Sequence, residues 1–207
     1  MCGIFGYIGR GNASKIVFDG LRQLEYRGYD SWGLASVSNS KVKISKDVGY
    51  LPTTLSSYPA TNLAIGHTRW ATHGGVTIAN AHPHLSCDSR LVIVHNGILE
   101  NYLEIKSSLS QSHKYVSQTD TEVIAHYLEE KLSSGQALSF AIESLIKVMR
   151  GLNAFVVIDS HTSEVFAYRH GSPLVLGKNA QGVYISSDLP TLAQKVSHVY
   201  AMKDNEL

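Results

Sequence analysis

The chain has 207 residues, of which 43% are hydrophobic and 17% charged, and its formal net charge is +1 at pH 7. This balance excludes a disordered chain and gives no sign of a nucleic-acid partner, while the length suffices for the core of one domain. Two cysteines are too few for a disulfide scaffold and no apolar run approaches the ~18 residues of a membrane helix, so we expect a cytoplasmic protein that binds no membrane.

Strand and helix patterns alternate in the first part of the chain. A buried strand is predicted at residues 3–8, and Asn12 is placed to cap a helix that ends before Arg27. Three further strands are predicted at residues 33–38, 41–46 and 62–66.

A polar, glycine-containing and histidine-rich stretch covers residues 67–84 and has no strand or helix period, which predicts a long functional loop. The next strand, residues 90–95, leads into Asn96-Gly97. This dipeptide readily takes left-handed turn geometry.

The second half contains two helix patterns and then a run of short strands. Thr119 and Glu122 match a capping box for a helix to about Leu132, and a second helix is predicted at residues 138–149. Short strands are predicted at residues 154–159, 164–168, 174–176 and 183–186, followed by a short helix at 188–190. Strands in runs with paired helices favour an α+β fold with two antiparallel sheets.

Cys2 is the first candidate for chemistry. Removal of Met1 would leave a residue that carries both a thiol and a free α-amine. The reference pKa of an α-amine is roughly 7.7–8.0, so part of it can accept the thiol proton at neutral pH. Taken alone, a cysteine at the start of a strand is more often a small buried hydrophobic residue than a nucleophile, so the choice between the two depends on other motifs.

Several segments support the catalytic interpretation of Cys2. The longer ones are Cys2-Gly3-Ile4, residues 24–31 (LEYRGYDS), residues 67–74 (HTRWATHG) and residues 95–101 (HNGILEN), and the shorter ones are residues 80–84, 119–122 and 171–174. In this combination the chain resembles the class II glutamine amidotransferases, and among them the glutaminase domain of the glucosamine-6-phosphate synthases. The resemblance extends over essentially the whole chain.

The resemblance implies a fold and a reaction. The fold is the N-terminal-nucleophile hydrolase sandwich, four αββα layers with two antiparallel sheets between helical layers, formed by residues 1–207 as one glutaminase domain. The reaction is hydrolysis of the side-chain amide of L-glutamine to glutamate and ammonia through a γ-glutamyl thioester on Cys2. In the family, a sugar-isomerase domain, absent from this chain, transfers the ammonia to fructose 6-phosphate in hexosamine biosynthesis, and a homodimer through that domain is also implied.

Four positions match residues that the family places around the nucleophile. The Asn96 side chain and the Gly97 N–H would stabilise the oxyanion, and each such donor is worth roughly 2.7–4 kcal/mol. Arg27 and Gly28 would order the site. The alternatives are a plain hairpin turn for Asn96-Gly97 and a surface arginine at a helix end for Arg27.

Five positions match the family's substrate-binding residues. Arg69, with Thr72 and His73, would bind the α-carboxylate of glutamine, since a guanidinium grips a carboxylate with two parallel bonds. Asp120 would bind the α-ammonium, and Trp70 would lie between the glutamine site and the ammonia exit. The alternatives are a favourable charge at a helix N-terminus for Asp120 and a buried core residue for Trp70.

Ten histidines raise the question of a metal site. His67, His73, His82 and His84, taken with Cys87, lack the usual spacing of four zinc ligands. We therefore expect no metal and no cofactor, and interpret Cys87 as inert packing.

Two other functions remain open at this point. One is the glutaminase half of a phosphoribosylpyrophosphate amidotransferase, whose pattern differs at residues 26–30 and 67–70. The other is a non-catalytic domain that senses glutamine or a nucleotide through the glycine-containing turn at residues 9–11. The chain also departs from the family pattern at Trp32, where a small residue is expected.

Overall fold

The secondary structure consists of strands, helices and short 3-10 turns. The strands are β1 (Gly3–Gly9), β2 (Ser31–Ser38), β3 (Lys41–Val48), β4 (Leu63–Arg69), β5 (His84–Leu85), β6 (Leu91–Gly97), β7 (Asn153–Asp159), β8 (Val165–His170), β9 (Val175–Lys178), β10 (Gly182–Ser186) and β11 (His198–Ala201). The helices are α1 (Ala13–Leu24), α2 (Tyr102–Ser108), α3 (Asp120–Ser133) and α4 (Leu138–Val148), with short 3-10 turns at Glu25–Arg27 and Leu189–Thr191.

The strands form two antiparallel sheets. In this computed structural model, which describes residues 2–72 and 74–207, one sheet has seven strands in the order β11-β9-β10-β1-β4-β2-β3. The other has four, in the order β5-β6-β7-β8. β1 lies in the middle of the larger sheet, between β10 and β4, so the strand that follows Cys2 is held on both sides.

Three apolar clusters hold the layers together. One packs α1 against the larger sheet, and a second packs α2, α3 and α4 against the smaller sheet. The third lies between the sheets and includes Ile4, Ile65, Val92 and Val156. The resulting αββα arrangement confirms the expected α+β sandwich. Within the described ranges, no helix is both long and apolar enough to cross a bilayer.

Most predicted elements are confirmed, and the differences have local causes. The Asn12 side chain accepts a hydrogen bond from the N–H of Lys15 and caps α1 as expected. β4 extends to Arg69, so the start of the polar stretch is a buried strand and not a loop. α2 and β11 were not predicted from the sequence, because α2 buries only Ile105 and β11 has no buried face.

The prediction of a capping box for α3 is wrong. Thr119 is the N-cap residue, but its side chain makes no capping hydrogen bond to the helix. The Thr119 hydroxyl lies 2.9 Å from His84 Nε2 and does not cap the helix. Glu122 accepts hydrogen bonds from the N–H groups of Val116 and Ser117, so it ties the preceding loop to the helix instead.

Trp32, which departs from the family pattern, lies in a strand and not in a loop. It lies in β2, is buried, and its ring meets that of Phe18 edge-on at 6.2 Å between centroids. The large side chain therefore fills core space beside α1.

An ion pair joins the start of β6 to the end of β7. Arg90 donates to both carboxylate oxygens of Asp159, from Nε at 3.0 Å and from Nη2 at 2.6 Å. The carboxylate is buried and also accepts from the N–H of His161. Burial alone would raise the pKa of Asp159, but the hydrogen bonds from Arg90 and His161 lower it below its usual value.

Asp159→Asn is expected to lower the free energy of unfolding by about 2–3 kcal/mol at pH 7, less than for a fully buried pair because Arg90 is partly exposed. Since the pKa of Asp159 is depressed in the folded chain, its stabilising effect is present above the unfolded value and is lost as the pH falls. Urea unfolding of the variant and the parent at pH 7 measures the loss of unfolding free energy, and the same comparison at pH 3 measures how much of this loss disappears as the pH falls. A difference between variant and parent that does not shrink at pH 3 would contradict this assignment.

Candidate active site

The predicted site residues meet at one edge of the sandwich. Cys2 immediately precedes β1, and Gly3 pairs with Thr68, so Cys2 lies beside the end of antiparallel β4. In the facing sheet, β6 ends at Asn96 and Gly97. Three strand ends that are distant in sequence therefore surround the thiol.

The Cys2 thiol is held by the backbone of Trp70. The Trp70 N–H donates to Sγ at 3.3 Å, and the thiol lies 3.5 Å from the Trp70 carbonyl oxygen, which can accept its proton. Burial raises the pKa of the Cys2 thiol, although the Trp70 N–H acts in the opposite direction. The thiol is therefore protonated at neutral pH and needs a base before it can attack.

Two side chains bind the carbonyl oxygen of Cys2. Arg27 Nε donates to it at 3.2 Å and Asn96 Nδ2 at 3.3 Å. The Arg27 side chain is only 9% exposed and also pairs with Asp188 at 3.5 Å. The alternative of a surface arginine at a helix end is therefore wrong.

His67 fixes the orientation of the Asn96 amide. Its Nε2 lies 3.0 Å from Asn96 Oδ1 and 3.0 Å from the His95 carbonyl oxygen. Both atoms are acceptors, so Nε2 carries the proton and Asn96 must present Nδ2 to Cys2. Burial lowers the pKa of His67 to about 3, which keeps the ring neutral.

Asn96-Gly97 ends a strand and does not form a hairpin turn. Gly97 pairs with Asn153 of β7, and its φ of 123° lies in the region that favours glycine. A Cβ at this position would lie 1.9 Å from the Leu152 carbonyl oxygen. Only glycine fits here, and the hairpin alternative is wrong.

The segment after α1 supports the end of β4. A Cβ on Gly28 would lie 2.7 Å from the backbone nitrogen of Trp70, so glycine allows the two segments to touch. Asp30 donates its N–H to the Arg69 carbonyl at 3.0 Å and accepts from the Ala71 N–H at 2.9 Å. These contacts fix the backbone that holds the thiol.

Two side chains of opposite charge, Arg69 and Asp120, line a cavity with Cys2. The buried Arg69 guanidinium donates to the carbonyl oxygens of Gly74 and Gly75 at 3.3 and 3.1 Å. Asp120, the first residue of α3, accepts from the Leu99 N–H at 2.6 Å. Its place in the first turn also suits the helix dipole, so the two interpretations of Asp120 are compatible.

Two cavities adjoin at the thiol. The larger, of about 210 Å³, is lined by Cys2, Arg27, Trp70, Thr72, Asn96, Gly97, Ile98, Ser172 and Pro173. The smaller, of about 20 Å³, is lined by Cys2, Arg69, Trp70, Thr72, His82, His95, Gly97, Thr119, Asp120 and Thr121. Trp70 lines both cavities and is 43% exposed, so the alternative of a core tryptophan is wrong.

Every predicted site residue among the described ones lies at this edge, whereas His73 lies outside the described residues. Sequence reasoning missed the roles of His67, Asp188, Ser172 and Pro173 in the surroundings of the thiol. His67, Ser172 and Pro173 belong to the matching segments, which was the available signal. Asp188 had none, because its contact with Arg27 spans 161 residues.

Two of the three N–H groups in the glycine-containing turn at residues 9–11 are bonded within the fold. The N–H of Gly9 donates to the Asn62 carbonyl and that of Arg10 to the Gln181 carbonyl. These donors are occupied within the fold, which argues against nucleotide binding at this turn.

Comparisons with known proteins agree with this geometry. Residues 52–207 match the family model described as glutamine amidotransferase domain. The chain is 44% identical over 214 residues to a glutamine–fructose-6-phosphate aminotransferase (isomerizing) of Helicobacter pylori and 44% identical over 212 residues to one of Thermus thermophilus. All of this chain is covered in both alignments, but only 36% and 35% of those relatives, so the chain spans about a third of their length.

Solved structures with the same fold were also found. One is the glutamine phosphoribosylpyrophosphate amidotransferase of B. subtilis complexed with ADP and GMP, with a TM-score of 0.80 and 25% identity over 97% of this chain and 44% of that one. Another is described as the allosteric regulatory enzyme of purine biosynthesis, with a TM-score of 0.80 and 27% identity over 92% of this chain and 43% of that one.

Proposed function

The chain belongs to the glutamine amidotransferase domain family, and we propose that it hydrolyses the side-chain amide of L-glutamine with Cys2 as nucleophile. The observation that carries the proposal is the convergence of the Cys2 thiol, the Asn96 amide, Arg69 and Asp120 on two adjoining cavities. This combination supplies a nucleophile, an oxyanion donor and both charges for an amino acid substrate.

The first step needs a base, because the buried thiol is protonated at neutral pH. Once Met1 is removed, the α-amine of Cys2 can take the thiol proton. The thiolate then attacks the side-chain amide carbon of glutamine, and the carbonyl π electrons move onto the oxygen.

The resulting oxyanion would be stabilised by Asn96 and Gly97. Asn96 Nδ2 carries two N–H groups, so its bond to the Cys2 carbonyl leaves a second N–H for the substrate oxygen. Because His67 already holds the amide in this orientation, the donor is preorganised and needs no rearrangement during the reaction.

Collapse of the tetrahedral intermediate breaks the carbon–nitrogen bond. The α-ammonium returns its proton to the departing nitrogen, which leaves as ammonia, and a γ-glutamyl thioester remains on Cys2. The α-amine then activates a water molecule that attacks the thioester, which yields glutamate and restores the thiol.

Recognition of free glutamine would depend on its two charges. We assign the α-carboxylate to Arg69, Thr72 and His73 and the α-ammonium to Asp120. The described cavity that joins Arg69 and Asp120 is small, about 20 Å³, and it adjoins the larger cavity of about 210 Å³ at Cys2.

Asp120→Asn tests the ammonium site. It is expected to lower kcat/KM for glutamine by about 100-fold, mainly through KM, because a charge pair with the substrate is lost while Oδ1 can still accept from the Leu99 N–H. Steady-state kinetics should be compared with glutaramate, which lacks the α-amine. If Asp120→Asn lowers kcat/KM equally for both substrates, the assignment is wrong.

The relatives' name suggests the fate of the ammonia. We propose that residues 1–207 form one glutaminase domain of a longer cytoplasmic enzyme, whose sugar-isomerase domain uses the ammonia to convert fructose 6-phosphate to glucosamine 6-phosphate in hexosamine biosynthesis. A homodimer through that domain belongs to the same proposal. A phosphoribosylpyrophosphate amidotransferase is less well supported, because that similarity is 25% against 44% for the aminotransferases.

Incubation of the processed chain with glutamine tests the proposed function directly. Glutamate and ammonia should appear in equal amounts. A glutamine analogue that carries an electrophilic ketone in place of the amide should add to one site, found by peptide mass spectrometry at Cys2. The absence of both turnover and labelling from chains that lack Met1 would refute the proposal.

A further inference from the structure

A second group of reactive side chains lies away from the cavities at the Cys2 thiol. Cys87 lies in the turn after β5, His113 in the loop between α2 and α3, and His126 and Glu129 one turn apart on α3. One potential ligand atom from each, a thiol sulfur, two imidazole nitrogens and a carboxylate oxygen, lie within 4.8 Å of one another.

The spacing of these atoms fits a tetrahedral ion. Cys87 Sγ lies 3.8 Å from His113 Nδ1 and 3.6 Å from His126 Nδ1, and Glu129 Oε2 lies 3.1 Å from each of these nitrogens. Zinc bonds of ~2.0–2.3 Å require ligand atoms ~3.3–3.7 Å apart in a tetrahedron. We propose that Cys87, His113, His126 and Glu129 form a zinc site.

The surroundings of the two histidines support this site. His113 Nε2 lies 3.3 Å from Glu130 Oε2, and His126 Nε2 lies 3.6 Å from Glu122 Oε1. A histidine bound to zinc through one nitrogen typically directs its other N–H to a carboxylate. With a metal on both Nδ1 atoms, each neutral ring has its single proton on the nitrogen that faces a carboxylate.

The thiol and the carboxylate are also supported by backbone donors. The Lys114 N–H donates to Cys87 Sγ at 3.4 Å, and the Asp88 N–H donates to Glu129 Oε1 at 3.1 Å. Burial and the nearby Glu129 carboxylate raise the pKa of Cys87, whereas the Lys114 N–H acts in the opposite direction and favours the thiolate, which is the form that binds metal. The Asp88 contact leaves Oε2 of Glu129 directed at the histidines.

The choice of ion follows from the ligands. One thiolate, two imidazoles and one carboxylate in tetrahedral spacing suit Zn²⁺, and four protein ligands make a closed, structural site. The ion would join the turn after β5 and the loop before α3 to the helix that begins with Asp120. This proposal replaces the expectation of no metal, and the interpretation of Cys87 as inert packing is wrong, since Cys87 is exposed and contacts two histidines.

Metal analysis of the whole chain tests the site. Protein purified with Zn²⁺ and dialysed should retain one zinc per chain, and replacement by Co²⁺ should give tetrahedral visible bands and a thiolate-to-cobalt charge-transfer band. Cys2 and Cys87 are the two cysteines of the chain. Cys2→Ala should therefore keep the thiolate band and Cys87→Ser should lose it, which separates this test from the glutaminase assay.

Histidine variants provide a matched comparison. His126→Gln should weaken zinc binding more than about 100-fold, since loss of an outer partner alone costs about 10–100-fold. His198→Gln, at an exposed histidine outside the cluster, should leave one zinc per chain. Wild-type protein without a cobalt–thiolate band, or a band that depends on Cys2, overturns the proposal even if the Cys87 and His126 variants fail to fold.

Discussion

Replacing Cys2 with alanine is expected to reduce glutamine hydrolysis by at least about 10⁴-fold, because no sulfur remains to form the thioester. Loss of a nucleophile in a preorganised amidase-type site has an effect of this order or larger, while the oxyanion donors and charges alone give only residual acceleration. The measurement is release of glutamate at saturating glutamine, followed by coupled enzyme assay.

Binding and processing provide the controls for the Cys2 variant. Cys2→Ala should still bind glutamine in calorimetry, since Arg69 and Asp120 remain in place. In the wild-type chain, the rate of glutamine hydrolysis should rise in proportion to the fraction of molecules that lack Met1. Mass spectrometry of the N-terminal peptide measures this fraction. Persistent turnover in Cys2→Ala would place the nucleophile elsewhere.

Asn96→Ala is expected to lower kcat about 10²–10³-fold with little change in KM. The Asn96 amide would stabilise charge that develops only in the transition state, so its loss slows the chemical step more than it weakens binding. Steady-state kinetics and single-turnover thioester formation measure the two effects separately. A higher KM with unchanged kcat would show that Asn96 only binds the ground state.

Asn96→Ala is expected to have only a small effect on the stability of the fold. His67 Nε2 keeps the His95 carbonyl as an acceptor when the Asn96 side chain is removed, so no buried donor loses all partners. The free energy of unfolding should therefore fall by only about 1 kcal/mol.

Asn96→Asp is a matched variant, because it keeps the shape of the side chain but replaces the N–H donor with an acceptor. Its glutamine hydrolysis should be at least as slow as that of Asn96→Ala.

Sequence patterns predicted the elements whose burial follows a period. The apolar face of α1 and its Asn12 cap were predicted in this way, as were the strands of both sheets except β5 and β11. The pattern failed for residues 67–69, because His67 and Arg69 are polar side chains that are buried in β4 and bonded there. A periodicity of hydrophobic residues carries no information about such a strand.

For the candidate site, the sequence predicted the residues but not all of the contacts between them. The motifs predicted the candidate residues, and the structure brings the described ones together. They could not reveal that His67 orients Asn96, since that requires the two sheets to face each other at the site. The second cluster was also hidden, because Cys87, His113 and His126 are separated by long, irregular intervals and meet only when a turn and a loop pack on α3.

The central position of β1 has a consequence for the order of events during synthesis. The Ile4 N–H donates to the Ser187 hydroxyl at 2.9 Å across 183 residues of chain. At ~5–20 residues per second, the partner strand β10 emerges from the ribosome roughly 10–40 s after β1, and the sheet cannot close before then. We expect the removal of Met1 that the proposed mechanism requires to be possible during this interval, before Arg27 and Asn96 bind the Cys2 carbonyl oxygen. The strand order alone would therefore let the proposed maturation of the nucleophile precede closure of the sheet.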